Sequence, residues 1–344
     1  MAAAEPTLET DAPPIRRRVR IGDRIFRGSS ATVAGLLIVL LAALLFVLIQ
    51  GASRAFAAFG PGFLTGTDWN PVAGRESFGA LTFIFGTVVT SAIAVVLAVP
   101  VSVGLALLLN EVRSGWIRNP LAAFVDVLAA IPSIVYGLWG LFVLKPVFDR
   151  HVEPFLASTL GKVPVVGALF HGNPNGPDLL TAGVILSIMI LPIVTGISRE
   201  VLATVPRDLR EAAKAIGATR YETARLAVLP YARNGIVAAT MLGLGRALGE
   251  TIAVSMVVGN TPSIHASLFG AGATIPSWIA SSFREATSVG LHRSALLALA
   301  VVLVAVTFAF AGLSRLLVRR VRGEDTTHLS PAADAETFVG RVSG

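Results

Sequence analysis

Arg246 and Glu250 lie four residues apart in the middle of a long apolar stretch, Tyr231–Gly259. A charge inside a membrane span costs several kcal/mol on any scale, so it persists where it faces a bundle interior, a water path or a partner. In one continuous helix an i, i+4 pair shares a face and can touch. The arginine fork stays charged and matches the oxygens of a tetrahedral oxyanion. Gly243, Gly245 and Gly249 beside the pair would let helices approach closely or leave room next to the charges. The chemistry expected is non-covalent: an anion passing a fixed cation, with Arg246 and Glu250 as the substrate-pathway residues and no catalytic residue. The competing reading is a buried ion pair that only locks helix packing. As a single rod of about 29 residues, roughly 43 Å long, the stretch would put Arg246 near mid-depth.

The elements that must carry this pair follow from composition. The 344 residues are 54% hydrophobic and 14% charged, against about 25% charged in soluble domains. Pro (19) and Gly (33) are abundant, which membrane helices tolerate because neighbours re-satisfy freed backbone groups. Six segments reach the roughly 20 apolar residues a span needs: Ala31–Gln50, Phe78–Leu109, Pro120–Val147, Leu179–Val205, Tyr231–Gly259 and Ser294–Val318. The fold class expected is therefore all-α, a polytopic bundle of six transmembrane helices. Pro100, Pro132 and Pro192 predict kinks or tilts. The organisation reads as a basic segment 1–30, a first helix 31–50, a five-helix core 78–318, and a polar tail 319–344. The first apolar segment follows Arg16, Arg17, Arg18, Arg20, Arg24 and Arg27. It is too long for a signal-peptide core, so Ala55-Phe-Ala57 is not read as a cleavage site.

Alternating connections carry unequal positive charge: 20 Lys and Arg on the side of the N-terminus, against 7 on the other. The positive-inside rule then places both termini in the cytoplasm of a multi-pass plasma-membrane protein. The net charge of +7 is thus an orientation signal facing lipid, and no basic reading motif supports nucleic-acid binding. With no cysteine, disulfides and thiolate sites are excluded. His151, Glu153 and His171 in an outward connection match no metal-ligand spacing and read as solvated loop residues. Asp126, near one end of its span, reads as an interfacial group. Ser133 and Tyr136, beside Pro132, suit either a polar path or a kink.

Between the fourth and fifth segments runs 206–230, PRDLREAAKAIGATRYETARLAVLP. Pro206 suits a helix start, and Asp208 and Glu211 put negative charge where the macrodipole favours it. Leu209, Ala212, Ala213 and Ile216 share a face, Gly217 ends or interrupts the helix, and Tyr221–Val228 can form a second piece. Composition alone allows an amphipathic connector resting on lipid. The pattern Glu211-Ala212-Ala213, then Gly217, then Leu229-Pro230, resembles the EAA signature of membrane permeases of binding-protein-dependent ABC importers. That resemblance implies a type I importer permease fold in which 206–230 is the cytoplasmic coupling segment docking on an ATPase. It assigns ATPase coupling to Glu211, Ala212, Ala213, Gly217, Leu229 and Pro230. Ala227 departs from it, because an aliphatic residue is usual two positions before Leu229.

The run from Gly245 to Val254 with Gly259-Asn260, and the run from Asp126 to Phe142, are similar to phosphate-specific ABC permeases of the PstC type. This resemblance covers nearly all of the chain except its tails. It implies transport of inorganic phosphate, a second permease subunit (PstA-type), two copies of a cytoplasmic ATPase (PstB-type) and an extracytoplasmic phosphate-binding protein (PstS-type). No phosphate-cradling Gly-x-x-x-x-Gly-Lys-Ser/Thr loop occurs, since Gly161-Lys162 is followed by Val163. ATP and Mg are accordingly expected on the partner ATPase, with no cofactor in this chain. Competing readings are a permease for sulfate or molybdate, an ion-coupled transporter with Glu250 as proton carrier, and a structural or sensory subunit.

Overall fold

The computed structural model describes residues 21–112, 114–164, 166–171, 176–286 and 290–325. Arg16, Arg17, Arg18 and Arg20, Arg113, and the tail beyond Asp325 lie outside the described residues. Ten helices carry the architecture: α1 (Ile21–Phe59), α2 (Leu81–Glu111), α3 (Gly115–Ala130), α4 (Ser133–Lys162), α5 (Leu179–Ala203), α6 (Arg207–Ala215), α7 (Leu229–Gly249), α8 (Ile252–Val257), α9 (Ile275–Ser282) and α10 (Leu291–Asp325). The chain divides into two compact units, 1–47 and 48–344. The described part of the first is helix, with exposed apolar residues such as Leu36, Leu40 and Leu44. Within the second unit a two-residue antiparallel ribbon pairs Trp69 with Phe78 and Asn70 with Ser77.

All six apolar segments are helical, but two of them are not single rods. α1, α2, α5 and α10 are each long and apolar enough to cross a membrane alone. The segment expected at 120–147 is instead α3 and α4, bent by 96°. Ile131 and Pro132 are both extended, with ψ of 127° and 143°, as expected where proline excludes the α conformation from the residue before it. Pro100 and Pro192, by contrast, lie inside the unbroken helices α2 and α5. The segment 231–259 is corrected too. α7 ends at Gly249, Glu250 is extended (φ −68°, ψ 124°), and α8 restarts at Ile252. Arg246 and Glu250 therefore do not share a helix, and the 43 Å rod does not exist.

α5 is the centre of the second unit, with Leu179, Ile185, Leu186, Ile190 and Leu202 fully buried. Lipid tails are as apolar as leucine, so such helices gain from close packing and polar ties rather than from escaping water. The ties are present: Ser102 donates to the Leu191 carbonyl (3.1 Å), and Asn110 donates to that of Arg199 (3.1 Å), joining α2 to α5. Residues 48–59 of α1 pack on α10 through Ala52, Ala55, Ala295 and Leu299. Ser294 closes that contact by donating to the Gly51 carbonyl (2.7 Å).

Candidate functional site: two broken helices and the segment 206–230

The two breaks meet. α4 packs on α8, and a Cβ added to Gly137 would lie 2.7 Å from Met256 Sδ and 2.9 Å from the Ala253 Cα. Only glycine permits so close an approach. Breaking α3 before Pro132 leaves the Leu128 carbonyl without its i+4 donor, because proline has no N–H. The buried Tyr136 hydroxyl takes that place, donating to the Leu128 oxygen at 2.7 Å. Tyr136 is therefore a part of the kink. An apolar cavity of about 270 Å³ opens beside it, bounded by Leu128, Ile131, Val135, Trp139 and Ile188.

Arg246 is exposed one turn before the second break and lies within electrostatic reach of Tyr136. Among the described residues no ion pair joins it to Glu250 or to any other carboxylate. Glu250 instead turns forward, its Oε1 accepting weakly from the Ala253 N–H at 3.4 Å. It thereby serves a first-turn donor of α8 that has no partner within the helix. The far end of α8 is tied off by Asn260, at φ 46°, whose side chain donates to the Ser255 carbonyl (2.8 Å). Asp126 is exposed on α3, and Ser133 is half-buried at the start of α4.

On the segment 206–230, Glu211, Ala212 and Ala213 lie on α6, which has no buried residue. Gly217 adopts φ +89°. Its N–H donates to Lys214 (2.9 Å), and that of Ala218 donates to Ala213 (3.1 Å). These two bonds form a Schellman stop, with Gly217 as the left-handed residue. Thr219 and Glu222 then cap the next helix reciprocally. The Thr219 backbone N–H and hydroxyl both hold the Glu222 carboxyl below its usual range. From Arg220 the chain runs through a π-turn, Ala224–Val228, containing Ala227, into α7 at Leu229-Pro230. Arg210 ties α6 to the bundle by pairing with Glu111 of α2 and donating to the Leu202 carbonyl of α5 (3.0 Å). Behind it lies a cavity of about 930 Å³ lined by Asn110, Arg207, Lys214 and Arg220. The Arg210–Glu111 tie spans 99 residues, and no local pattern announces it.

A further correction concerns Glu153, which is no solvated loop residue. α4 continues past Val147 to Lys162, and Glu153 is fully buried in an ion cluster with Lys145, Asp149 and Asp178. The i, i+4, i+8 spacing of Lys145, Asp149 and Glu153 was the readable signal. His151 is exposed, and His171 contacts the Gly167 carbonyl. Among the described residues no group of acidic and histidine side chains suits a metal ion.

Interrupted apolar helices that meet near an exposed arginine, joined to an exposed helix between two spans, are the arrangement of a membrane permease. Residues 98–323 match the family described as binding-protein-dependent transport system inner membrane component. The chain belongs to that family, whose members are transport subunits of the inner membrane. It is 42% identical over 317 residues to the phosphate transport system permease protein PstC of Pasteurella multocida, covering 92% of this chain and 98% of that protein. It is 46% identical over 292 residues to the protein of the same name from Xylella fastidiosa, covering 85% and 89%. The fold is also that of a chain in a crystal structure of a bacterial alginate ABC transporter, with a TM-score of 0.54 and 18% identity, covering 87% and 97%.

Proposed function

We propose that this chain is a PstC-type permease subunit of an ATP-driven importer of inorganic phosphate, forming half of the translocation pathway. The observation that carries the reading is Arg246: an exposed guanidinium with no carboxylate partner among the described residues, one turn before a break in an apolar helix. Relatives above 40% identity that carry the name of phosphate permeases support the choice of anion. A PstA-type subunit would supply the other half of the path and face Arg246. Two PstB-type ATPases, holding ATP and Mg, would receive Glu211, Ala212, Ala213 and Gly217, with Leu229 and Pro230 closing the segment. A PstS-type binding protein would deliver phosphate on the outward side, and both termini would lie in the cytoplasm.

In this cycle ATP-driven closure of the motor moves α6, and the Arg210 tie passes that motion to α2 and α5. The junction of α4 and α8 opens outward, phosphate passes Arg246, and reversal releases it inward. Glu250 maintains the break by serving the start of α8 and places a carboxylate beside the path, which prevents too tight a hold on the anion. The chain performs no covalent chemistry. The test is radiolabelled uptake by the reconstituted complex with competing anions. Phosphate uptake unaffected by sulfate or molybdate supports the reading. Equal competition by either anion refutes phosphate selectivity, and uptake that continues with a hydrolysis-dead ATPase refutes ATP coupling.

A further inference from the structure

One buried cluster of charges has no part in the pathway described above. Lys145, Asp149 and Glu153 line one face of α4, and Asp178 N-caps α5. Lys145 is 4% exposed, and Glu153 and Asp178 are at 0%. Lys145 Nζ lies 2.6 Å from Glu153 Oε1 and 2.7 Å from Asp149 Oδ1, and pairs with Asp178 Oδ2. One ammonium thus stands against three carboxylates. Among the described residues, Arg150, His151 and Lys162 of the same helix and His171 near its end make no ion pair with these carboxylates, and α8, the turn Val166–Phe170 and α5 as far as Gly196 contain no ionisable residue.

The three carboxylates are not equivalent. Asp178 is fully served: Oδ1 accepts from the Thr181 N–H (2.6 Å), and Oδ2 accepts from the Thr181 hydroxyl (2.8 Å) and faces Lys145. Asp149 is close to Lys145 but poorly aligned for a hydrogen bond, and its side chain is 25% exposed, so water can share its charge. Glu153 has a single contact, through Oε1. Its Oε2 is buried and has no hydrogen-bond partner among the described residues. A bare oxygen on a buried anion forfeits solvation that nothing replaces, and neutralisation is the usual outcome.

We propose that Glu153 is a proton-binding site, and that its proton removes one of the three negative charges facing Lys145 and so stabilises the clamp between α4 and the start of α5. The clamp reaches the broken helices. The Asp178 N–H donates to the Val257 carbonyl at the end of α8 (3.0 Å), and the same α4 carries Gly137 at its other end. The sign of the pH effect follows from the proton being bound more tightly in the folded chain than in the unfolded one. Its stabilisation is complete at low pH and is lost as pH rises through the folded-state pKa of Glu153.

The test uses thermal unfolding and infrared spectroscopy of the full chain purified in its complex, because phosphate itself titrates and would confound uptake. Glu153→Gln imitates the protonated acid. It should unfold at or above the wild-type temperature at neutral pH, and it should not share the wild-type loss on alkalinisation. The wild-type minus Glu153→Gln difference spectrum should contain the carbonyl band of a protonated carboxyl. Lys145→Met, which removes the cation facing the buried Asp178 and Glu153, should be far less stable than either. Destabilisation by Glu153→Gln as severe as that of Lys145→Met would overturn the proposal. So would a difference spectrum lacking the protonated-carboxyl band.

Discussion

Replacing Gly217 by valine isolates what the left-handed turn contributes to coupling. At φ +89° with nothing within 4 Å of an added Cβ, the Cβ meets no steric clash, and the main cost is backbone conformation. An L-residue in that region costs about 1–2 kcal/mol, with β-branched residues at the upper end. That is roughly a 5- to 30-fold fall in the population of the formed turn. α6 has no buried residue, so burial of its own side chains does little to offset the loss, and the Arg210 tie and the stop itself are left to fix its position. Hydrogen exchange at the Gly217 and Ala218 amides, which bond Lys214 and Ala213, should accelerate by about that factor. Phosphate-stimulated ATP hydrolysis by the reconstituted complex should fall with it. Gly217→Asn, which tolerates the left-handed region better, should lie between valine and wild type. Valine with unchanged exchange and unchanged stimulation would refute the reasoning.

Two further perturbations probe the junction of the broken helices. Tyr136→Phe strands the Leu128 carbonyl and should cost about 1–3 kcal/mol, read as a lower unfolding temperature of the complex; equal stability would show that another donor serves that oxygen. Gly137→Ala places a methyl 2.9 Å from the Ala253 Cα, which must push α4 and α8 apart. Uptake should drop while ATPase co-purification is retained, and wild-type uptake would mean the junction is not part of the path.

Much of the architecture was legible because it is local. The apolar segments, the Gly217 stop and the Glu211–Ala213 helix each follow from neighbours in sequence. The break at Glu250 was not, since residues 243–259 contain no proline, and hydrophobicity does not report an interruption inside a mainly apolar run. Proline also misled in part. Pro132 breaks its helix, whereas Pro100 and Pro192 are absorbed, and the difference lies in neighbouring groups that a single segment does not reveal. Asp178 and Glu111 find their partners across the bundle, at separations where only the folded chain brings opposite charges together. Glu153 was misread because hydropathy ended the helix at Val147, although the helix itself continues.

The most direct test of the central claim is phosphate flux and ATP hydrolysis measured together in proteoliposomes carrying Arg246→Gln and Arg246→Lys. Arg246 is exposed and makes no ion pair among the described residues, so neither change should prevent assembly. With glutamine, flux should be lost while the complex still hydrolyses ATP; with lysine, which keeps the charge but not the planar fork, flux should be reduced. Full flux with glutamine would contradict the account.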